Sequence, residues 1–334
     1  MARRERTTGL PRAKRRDRVD SRRRVGGVPL DERSARFAII GLVGILFLLV
    51  VGLITYRVYD ENIGRPNKVV LAVGEREVQL EYYTARLLPF AEANPGSSTA
   101  ITAQALLGKL ETEELTILLA RERGIVITED DITEAIAADL GVPPGGSGTA
   151  FDQLYRNRLR TLNVSDRHYR RLTLASVAND RLLEQFREEV GTTGEMVTVR
   201  GVALETEEEA TAVAERARAG EDLGTIAQLE SSDLATRSSD GLYPPRVLSL
   251  YPEGMIEAMG GTTDGDILGP VEAEGSFWVF RVERREAEGT IPEDQLGAVV
   301  QDRLDDAIAE FRKGVEISRS LSASDIDWAV SHAG

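Results

Sequence analysis

Residues 37–56 read FAIIGLVGILFLLVVGLITY, an uncharged apolar stretch bounded by Arg36 and Arg57. A helix rises about 1.5 Å per residue, so a hydrocarbon core about 30 Å thick needs roughly 20 apolar residues. The stretch meets that length and predicts a transmembrane anchor at 37–56. The alternative is a cleaved signal peptide, whose apolar region is usually about 7 to 15 residues long and ends at a small-residue cleavage site. The longer stretch, with no A-x-A pattern after it, favours a retained anchor.

The segment before the anchor, residues 1–36, is strongly basic. It holds thirteen Lys and Arg against five acidic residues, a net charge of +8. Because Lys and Arg next to a span are retained in the cytoplasm, we expect this arm inside the cell and the rest outside. Its Arg-rich, apolar-poor composition predicts disorder. The expected location is therefore the cell membrane, single-pass, with a cytoplasmic N-terminus and an extracytoplasmic body.

Composition excludes several classes of function. The whole chain carries −14, which leaves −22 on residues 37–334, so the body is not suited to bind nucleic acid through charge. The chain has no Cys and two histidines, His168 and His332, too few for thiolate metal sites or for most zinc sites and hydrolase triads. We therefore expect no metal and no cofactor. His168, which lies among several arginines, is predicted to be exposed on a helix surface.

Residues 69–190 predict a mostly helical lobe. A short hairpin-like segment at 69–78 precedes a helix that starts near Leu80. Further helices with apolar residues at helical spacing follow, and Thr128 and Ser165 are placed to cap two of them with their side-chain oxygens.

After Gly191 the pattern changes to shorter elements. Strands, helices and a long polar loop follow in the order strand, helix, helix, loop, helix, strand, strand. They are predicted at 196–204, 207–219, 223–229, 231–246 and 252–259, with the last two strands starting at Gly269 and Phe277. This order predicts a small α+β domain whose sheet is covered by helices on one side.

The order of these elements, with SSDL in the loop, G-P-V in one strand and SFWVFRV in the last, resembles a parvulin-type (rotamase) peptidyl-prolyl isomerase domain. The lobe before it, with GIVITEDDITEAI and LNVSDRHYRRL, is similar to the helical chaperone domain of SurA- and PrsA-like foldases. The two resemblances cover residues 69–285.

Together they imply an α+β chain with a single N-terminal transmembrane helix, a mostly helical SurA-like lobe, a small parvulin-like α/β domain and a C-terminal helix that packs back. The expected segments are a basic disordered arm, a membrane anchor, a helical chaperone-like domain, a parvulin-like domain, and a C-terminal helix with its tail. They are placed at 1–36, 37–56, 69–190, 195–286 and 291–334.

The resemblance also implies a site. Parvulins usually carry one histidine early in the first strand and another in the last strand. These positions align with Gly201 in VRGVAL and Trp278 in SFWVFRV, so both histidines are replaced. The acidic residue of the family aligns with Asp233 and implies a catalytic role, while the Ser-Ser-Asp sequence is equally typical of a turn or cap.

A peptide or proline pocket completes the implied site. Met255 and Met259 correspond to its apolar positions, and Phe277, Trp278 and Gly201 are its other expected members. Methionine suits binding surfaces because it is flexible and polarizable. Ordinary core packing is the alternative for Met255, Met259 and Phe277.

The C-terminal segment predicts one amphipathic helix over 292–317, with apolar residues on one face. The resemblance implies that it packs on the helical lobe, and a coiled-coil partner helix is the alternative. Trp328 in the tail is expected to anchor against the same lobe.

The resulting hypothesis is a membrane-anchored extracytoplasmic foldase. It would bind unfolded or X-Pro-containing exported polypeptides and have weak peptidyl-prolyl cis-trans isomerase activity. The alternatives are a non-catalytic holdase and an envelope scaffold, each using a degenerate rotamase fold as a binding module.

Overall fold

The computed structural model describes residues 24–25, 28–29, 32–143 and 148–333. Most of the basic arm predicted at 1–36 and most of the predicted loop at 143–148 lie outside the described residues. The chain divides into two units, Met1–Pro66 and Asn67–Gly334.

The first unit contains a long apolar helix. Two short strands, β1 (Arg24–Val25) and β2 (Val28–Pro29), pair antiparallel, and helix α1 (Glu32–Tyr59) follows, continued by a π-helical turn at Asp60–Gly64. Within the described residues, Ile39–Gly64 is the one helix long and apolar enough to cross a membrane, and it contains an 18-residue window with a mean hydropathy of 2.7. The predicted apolar N-terminal helix is therefore confirmed.

The second unit contains helices and strands in mixed order. Its first half holds β3 (Val69–Val73), β4 (Arg76–Gln79), α2 (Leu80–Ala93), α3 (Thr99–Glu122), α4 (Glu129–Asp139), α5 (Thr149–Leu162) and α6 (Asp166–Val190). Its second half holds β5 (Thr193–Leu204), α7 (Glu207–Arg218), α8 (Leu223–Glu230), α9 (Leu234–Arg237), β6 (Arg246–Val247), a 3-10 turn (Leu248–Leu250), α10 (Glu253–Met259), β7 (Ile267–Ala273), β8 (Ser276–Thr290), α11 (Glu293–Lys313), β9 (Ile317–Arg319) and α12 (Ala323–His332).

Local capping chemistry starts several of these helices, as the sequence predicts. The Thr128 side chain accepts a hydrogen bond from the Asp131 amide in a reciprocal capping box, and the Ser165 side chain accepts one from the His168 amide. Each bond satisfies a backbone donor that the first helical turn leaves free.

The C-terminal helix packs back on the helical lobe. Leu296, Val300 and Leu304 of α11 share one buried core with residues of α2, α3 and α6, which include Leu110 and Phe186. The predicted packing of this helix is therefore confirmed. Trp328 of α12 is 8% exposed in the same core, where α12 contacts α2.

The predicted helix over 292–317 is wrong at its end. α11 stops at Lys313, and β9 pairs antiparallel with β3, with Val73 opposite Ile317 and Leu71 opposite Arg319. The three-stranded sheet has the order β4-β3-β9. β9 forms a strand because it pairs with β3, which is far away in sequence, so helical periodicity alone could not predict this strand.

A four-stranded antiparallel sheet with the order β6-β5-β8-β7 forms the second half of the unit. Val202 and Val279 face α7 and α8, whereas Val199 and Phe280 face α10. Helices therefore cover both faces of this sheet, and the prediction that helices cover only one face is wrong. The short α10 packs on β7 because Met255 and Met259 present its apolar side.

His168 does not lie on the solvent-exposed surface that the sequence predicts for it. The residue is 8% exposed, and its ring centroid lies 5.3 Å from that of Tyr82. Two neighbouring arginines bond to other helices: Arg171 to Glu114 on α3 and Arg170 to Glu129 on α4. Tertiary packing of α6 against α2 buries the histidine.

Asp325 joins the tail to the start of the lobe. The residue is 4% exposed and accepts hydrogen bonds from Lys68 Nζ at 2.5 Å and from the Ser322 amide at 2.9 Å. Burial alone raises the pKa of Asp325, but the bonds from Lys68 and Ser322 outweigh it and hold the pKa below its usual value.

We expect Asp325→Asn to destabilise the fold only where the carboxylate is charged. A folded pKa below the unfolded value of about 3.9 contributes stability above that value, and the contribution is lost as pH falls through the folded pKa. The variant should lose about 1–2 kcal/mol of unfolding free energy at neutral pH and almost nothing near the folded pKa. Urea unfolding at pH values from neutral down to the folded pKa tests this prediction, with the exposed Asp327→Asn as control. A loss that does not change with pH would contradict the assignment.

Candidate functional site

The candidate site lies on the face of the four-stranded sheet that carries α10. Successive residues of a strand point to opposite faces, so Gly201 and Ala203 of β5 share a face with their partners Phe280 and Trp278 of β8. Phe277, the residue before Trp278, packs against the cluster on the other face. Phe277 is therefore separated from the other five predicted site residues by the sheet itself.

A cavity of about 230 Å³ opens on this face. Three of the predicted residues, Asp233, Met255 and Trp278, line it. The other lining residues are Val199, Ala235, Tyr243, Arg246, Tyr251, Pro252 and Glu274. Met259 is 1% exposed and lies in the hydrophobic core with Met255, outside the cavity lining.

Gly201 lies directly beneath the Trp278 indole. A Cβ atom on Gly201 would meet Cε3 of Trp278 and Cβ of Phe280, both at 3.4 Å. The indole Nε1 of Trp278 donates to the Ala273 carbonyl at 3.2 Å, which fixes the ring over the glycine. At the two positions that align with the family histidines, a small residue, Gly201, therefore packs against a large one, Trp278.

Asp233 serves as the N-cap of α9 and as the centre of a polar network. Its carboxylate accepts hydrogen bonds from the Ala235 amide at 3.0 Å, from Thr236 Oγ1 at 2.6 Å and from the Tyr243 hydroxyl. Burial raises the pKa of Asp233, but the bonds from Thr236 and Tyr243 outweigh it and hold the pKa below its usual value. Asp233 is thus an ionised hydrogen-bond acceptor that both caps α9 and lines the cavity.

Tyr243 connects this network to the apolar wall. Its ring meets the Trp278 ring edge-on, with centroids 5.9 Å apart. Burial, reinforced by the bond to Asp233, raises the pKa of Tyr243, so the hydroxyl remains protonated at neutral pH and donates to the carboxylate. Tyr243 is therefore a hydrogen-bonding group of the cavity and does not act as a base.

Tyr251 forms another part of the wall. It is 7% exposed, its hydroxyl donates to the Val197 carbonyl at 3.1 Å, and burial raises the pKa of Tyr251 to about 12. The Arg246 guanidinium lies over its ring, 5.6 Å from the centroid, and brings a positive charge to the rim.

Backbone contacts hold the loop from Ser231 to Tyr243 against the sheet. The fully buried Ser231 side chain accepts from the Ala203 and Asp233 amides, both at 3.2 Å. The Gly201 amide donates to the Gly241 carbonyl at 2.8 Å. Gly241 has φ +67°, and a Cβ there would lie 2.3 Å from the Gly201 carbonyl oxygen, so only glycine permits this approach.

Sequence reasoning missed Tyr243, Tyr251 and Ser231 as parts of this arrangement. The available signal was the aromatic residue that follows Ser-Asp-Gly-Leu in a polar loop, because exposed polar loops rarely need a tyrosine. The Ser-Ser-Asp sequence predicts a turn or cap at Ser231, and the full burial of Ser231 shows that this turn lies inside the fold.

The geometry permits recognition of one side chain. The cavity is smaller than the roughly 300–1,000 Å³ of sites for drug-sized ligands. Aromatic and thioether groups form its walls, and an ionised carboxylate with a phenol lies at one side. It can therefore hold a compact apolar group such as a proline ring, with its peptide bond near polar groups.

The packing of Trp278 over Gly201 predicts non-additive substitutions. Gly201→His should cost about 1–3 kcal/mol of unfolding free energy, because the imidazole needs the space of the indole. In the Gly201→His/Trp278→His protein that space is free, and we expect the double variant to differ from the sum of the single variants by about 0.5–3 kcal/mol. Urea unfolding of the four proteins measures this coupling. Additive losses would show that the two side chains do not compete for the same space.

Comparison with known proteins agrees with the domain that the sequence suggested. Residues 180–296 match the sequence model of the PPIC-type PPIASE domain family, which confirms the parvulin-type resemblance over that segment. The matched segment is about a third of the chain and contains the whole cavity lining. No curated protein matches the chain.

Solved structures with similarity to the chain include peptidyl-prolyl isomerases and chaperones. The peptidylprolyl isomerase PrsA from Bacillus anthracis has 13% identity, a TM-score of 0.41 and coverage of 68% of this chain and 97% of that chain. The parvulin domain of PpiD from E. coli has 21% identity, a TM-score of 0.26 and coverage of 29% and 93%. The SurA-like chaperones PEB4 and Cj1289 of Campylobacter jejuni are represented by a match with 15% identity, a TM-score of 0.28 and coverage of 74% and 93%.

Proposed function

We propose that the protein is a membrane-anchored extracytoplasmic foldase that binds unfolded exported polypeptides and catalyses X-Pro isomerisation slowly. The observation that carries the proposal is the small cavity of Trp278, Met255 and Tyr251, flanked by the Asp233–Tyr243 pair, inside the segment that matches the PPIC-type family. The expected division into segments at 69–190, 195–286 and 291–334 is part of this proposal.

Peptidyl-prolyl isomerisation requires few chemical groups from the protein. Rotation about a peptide bond has a barrier of about 18–20 kcal/mol and breaks no covalent bond, so neither a nucleophile nor an electron acceptor is needed. The apolar walls would hold the proline ring and exclude water. Polar groups that favour the twisted amide over the planar one would lower the barrier.

A slow rate follows from the composition of the site. The two positions aligned with family histidines hold Gly201 and Trp278, which offer no imidazole to the network. The hydrogen of the Tyr243 hydroxyl is engaged by Asp233 and is not free for the substrate. We therefore assign binding of the proline ring to the walls and a modest polarising role to Asp233 and Tyr243.

The topology is proposed from the sequence around α1. A basic segment of net charge +8 precedes the apolar helix, and Lys and Arg near a span are retained on the cytoplasmic side. The body after the helix would then meet newly exported chains outside the cytoplasm.

A protease-coupled assay with a proline-containing peptide, run on the full chain in detergent, tests the enzymatic activity. We expect a rate above that of buffer, lowered about tenfold by Trp278→Ala because one wall is lost. Exposed Leu229→Ala on α8 is the matched control and should leave the rate unchanged. A wild-type rate equal to buffer would refute catalysis. The Gly201→His/Trp278→His variant then reports whether imidazoles restore it.

The second candidate function is a non-catalytic holdase that uses the same domain as a binding module. The packing of Trp278 over Gly201 favours it, because this pair fills the space that the aligned histidines would occupy. Suppressed aggregation of a denatured client without any isomerase rate would select this function.

A further inference from the structure

Both histidines of the chain, His168 and His332, line one cavity far from the sheet site in sequence. The cavity has a volume of about 390 Å³ and lies among α2, the junction of α5 with α6, and α12. None of its lining residues belongs to the segment that matches the PPIC-type family.

The His168 side chain is mostly buried and lines the cavity. The residue is 8% exposed, no described residue hydrogen-bonds to its imidazole nitrogens, and its backbone amide donates to the Ser165 hydroxyl at 3.2 Å. Burial lowers the pKa of His168, which keeps the ring neutral with one donor and one acceptor. A buried polar ring that lines a cavity and lacks a partner is suited to meet a ligand.

Two carboxylates face the same space. Glu81 and Glu92 on α2 are eleven residues apart, about three helical turns, so they lie on one side of that helix. Both are exposed, and within the described part of the chain neither has an ion-pair partner. Unpaired carboxylates beside apolar walls attract a cationic group.

Apolar side chains form part of the cavity wall. Leu88 and Leu162 line the cavity, and the Trp328 ring stacks on the His332 ring with centroids 4.2 Å apart. A second groove of about 220 Å³ adjoins it and shares Leu88 and Ala333. Leu88 and Val330 in this groove are 43% and 51% exposed, so it offers an apolar surface next to the acidic cavity.

These groups do not converge as metal ligands do. Across residues 32–143 and 148–333, no group of three or more His, Asp or Glu side chains is placed to hold a metal ion. An organic cation with an apolar stem fits better, because a lysine or arginine side chain carries its charge at the end of three or four methylene groups.

We propose that this cavity binds a lysine or arginine side chain of an unfolded polypeptide, with a neighbouring apolar residue of the same segment in the adjoining groove. The inference rests on the proposed chaperone function and deepens it by naming the segment that is recognised. Glu81, which acts electrostatically on His168, pairs with the cation, and Glu92, about 16 Å away along the helix, adds negative potential. His168 accepts or donates one hydrogen bond, and Leu88 and Trp328 cover the stem.

The chain offers a direct spectroscopic test. It contains two tryptophans, so in the Trp278→Phe protein Trp328 in the cavity wall is the only one. We expect an arginine-containing, proline-free peptide to change the Trp328 fluorescence of the full chain in detergent. The same peptide with citrulline, the neutral isostere of arginine, should bind about tenfold more weakly, which corresponds to about 1.4 kcal/mol.

Matched variants locate the charge effect. Glu81→Gln/Glu92→Gln should abolish the preference for arginine over citrulline, whereas Glu208→Gln/Glu215→Gln, exposed on α7 with the same change in net charge, should keep it. Equal binding of the two peptides to the protein with both glutamates would overturn the proposal, and this comparison does not depend on the folding of any charge variant. Arginine preference that survives in Glu81→Gln/Glu92→Gln would overturn it as well.

The test separates this inference from the proposed function. If a denatured client is still kept from aggregating while the arginine and citrulline peptides bind equally, the foldase function stands and the basic side-chain site is wrong. If arginine binding at Trp328 is observed but clients aggregate freely, the site stands and the foldase function is wrong.

Discussion

Replacement of Glu114 by alanine is expected to lower the free energy of unfolding by about 3–5 kcal/mol, toward the lower end of that range. The Glu114 side chain is 2% exposed and bonds to Arg76 of β4 and to Arg171 of α6, the latter at 2.9 Å. Alanine would leave two guanidinium groups inside the lobe without their anion. Their partial exposure, 25% and 19%, allows some hydration and moderates the loss.

Glu122 at the end of the same helix is the matched control. It is exposed, and within the described residues it has no ion-pair partner, so Glu122→Ala should change the unfolding free energy by less than about 0.5 kcal/mol. Urea unfolding of the full chain in detergent, followed by far-ultraviolet circular dichroism, measures both variants. A Glu114→Ala loss as small as that of the control would show that the three elements are held by apolar packing alone.

Phe280→Ala is expected to cost about 3–5 kcal/mol of unfolding free energy and to remove the proposed isomerase activity together with stability. The side chain is fully buried in the cluster with Val199, Met255 and Val282, and its Cβ lies 3.4 Å from the position of a Cβ on Gly201. The void would open directly under Trp278. Neighbouring β-strands are held by backbone hydrogen bonds and cannot collapse into it, so little of the lost contact is recovered.

Exposed Leu234→Ala, at 74% exposure on α9, is the control for Phe280→Ala and should have little effect. Phe280→Leu should fall between the two because it leaves a smaller void. Urea unfolding gives the stability and the proline-peptide assay gives the rate. Full activity in a folded Phe280→Ala protein would show that the cavity wall is not needed for catalysis.

The two clefts of the second unit differ in chemistry. The sheet cavity has aromatic and thioether walls with an ionised Asp233 and would take an uncharged ring. The cavity at Trp328 has two carboxylates, Glu81 and Glu92, and would take a cation. An unfolded chain that carries a basic residue and a proline could bind to both clefts. Because the two clefts differ in chemistry, substitutions in one should leave the ligand preference of the other unchanged.

The sequence also contains information on which site residues share a face of the sheet. Residues that are adjacent in a strand point to opposite faces, so Phe277 and Trp278 could not line one pocket. The cap that the Ser-Ser-Asp sequence predicts is present, because the Asp233 side chain caps α9 and also lines the cavity.

Features that depend on neighbours along the chain are predictable from the amino-acid sequence. Thr128 and Ser165 start their helices through hydrogen bonds within one turn, and the apolar stretch at 37–56 forms a helix by its own composition. Features that depend on distant partners form only when the chain folds. β9 is a strand because β3 offers it backbone hydrogen bonds, and His168 is buried because α2 packs over it. Local periodicity carries no record of such contacts, since they form between segments that the chain brings together only on folding.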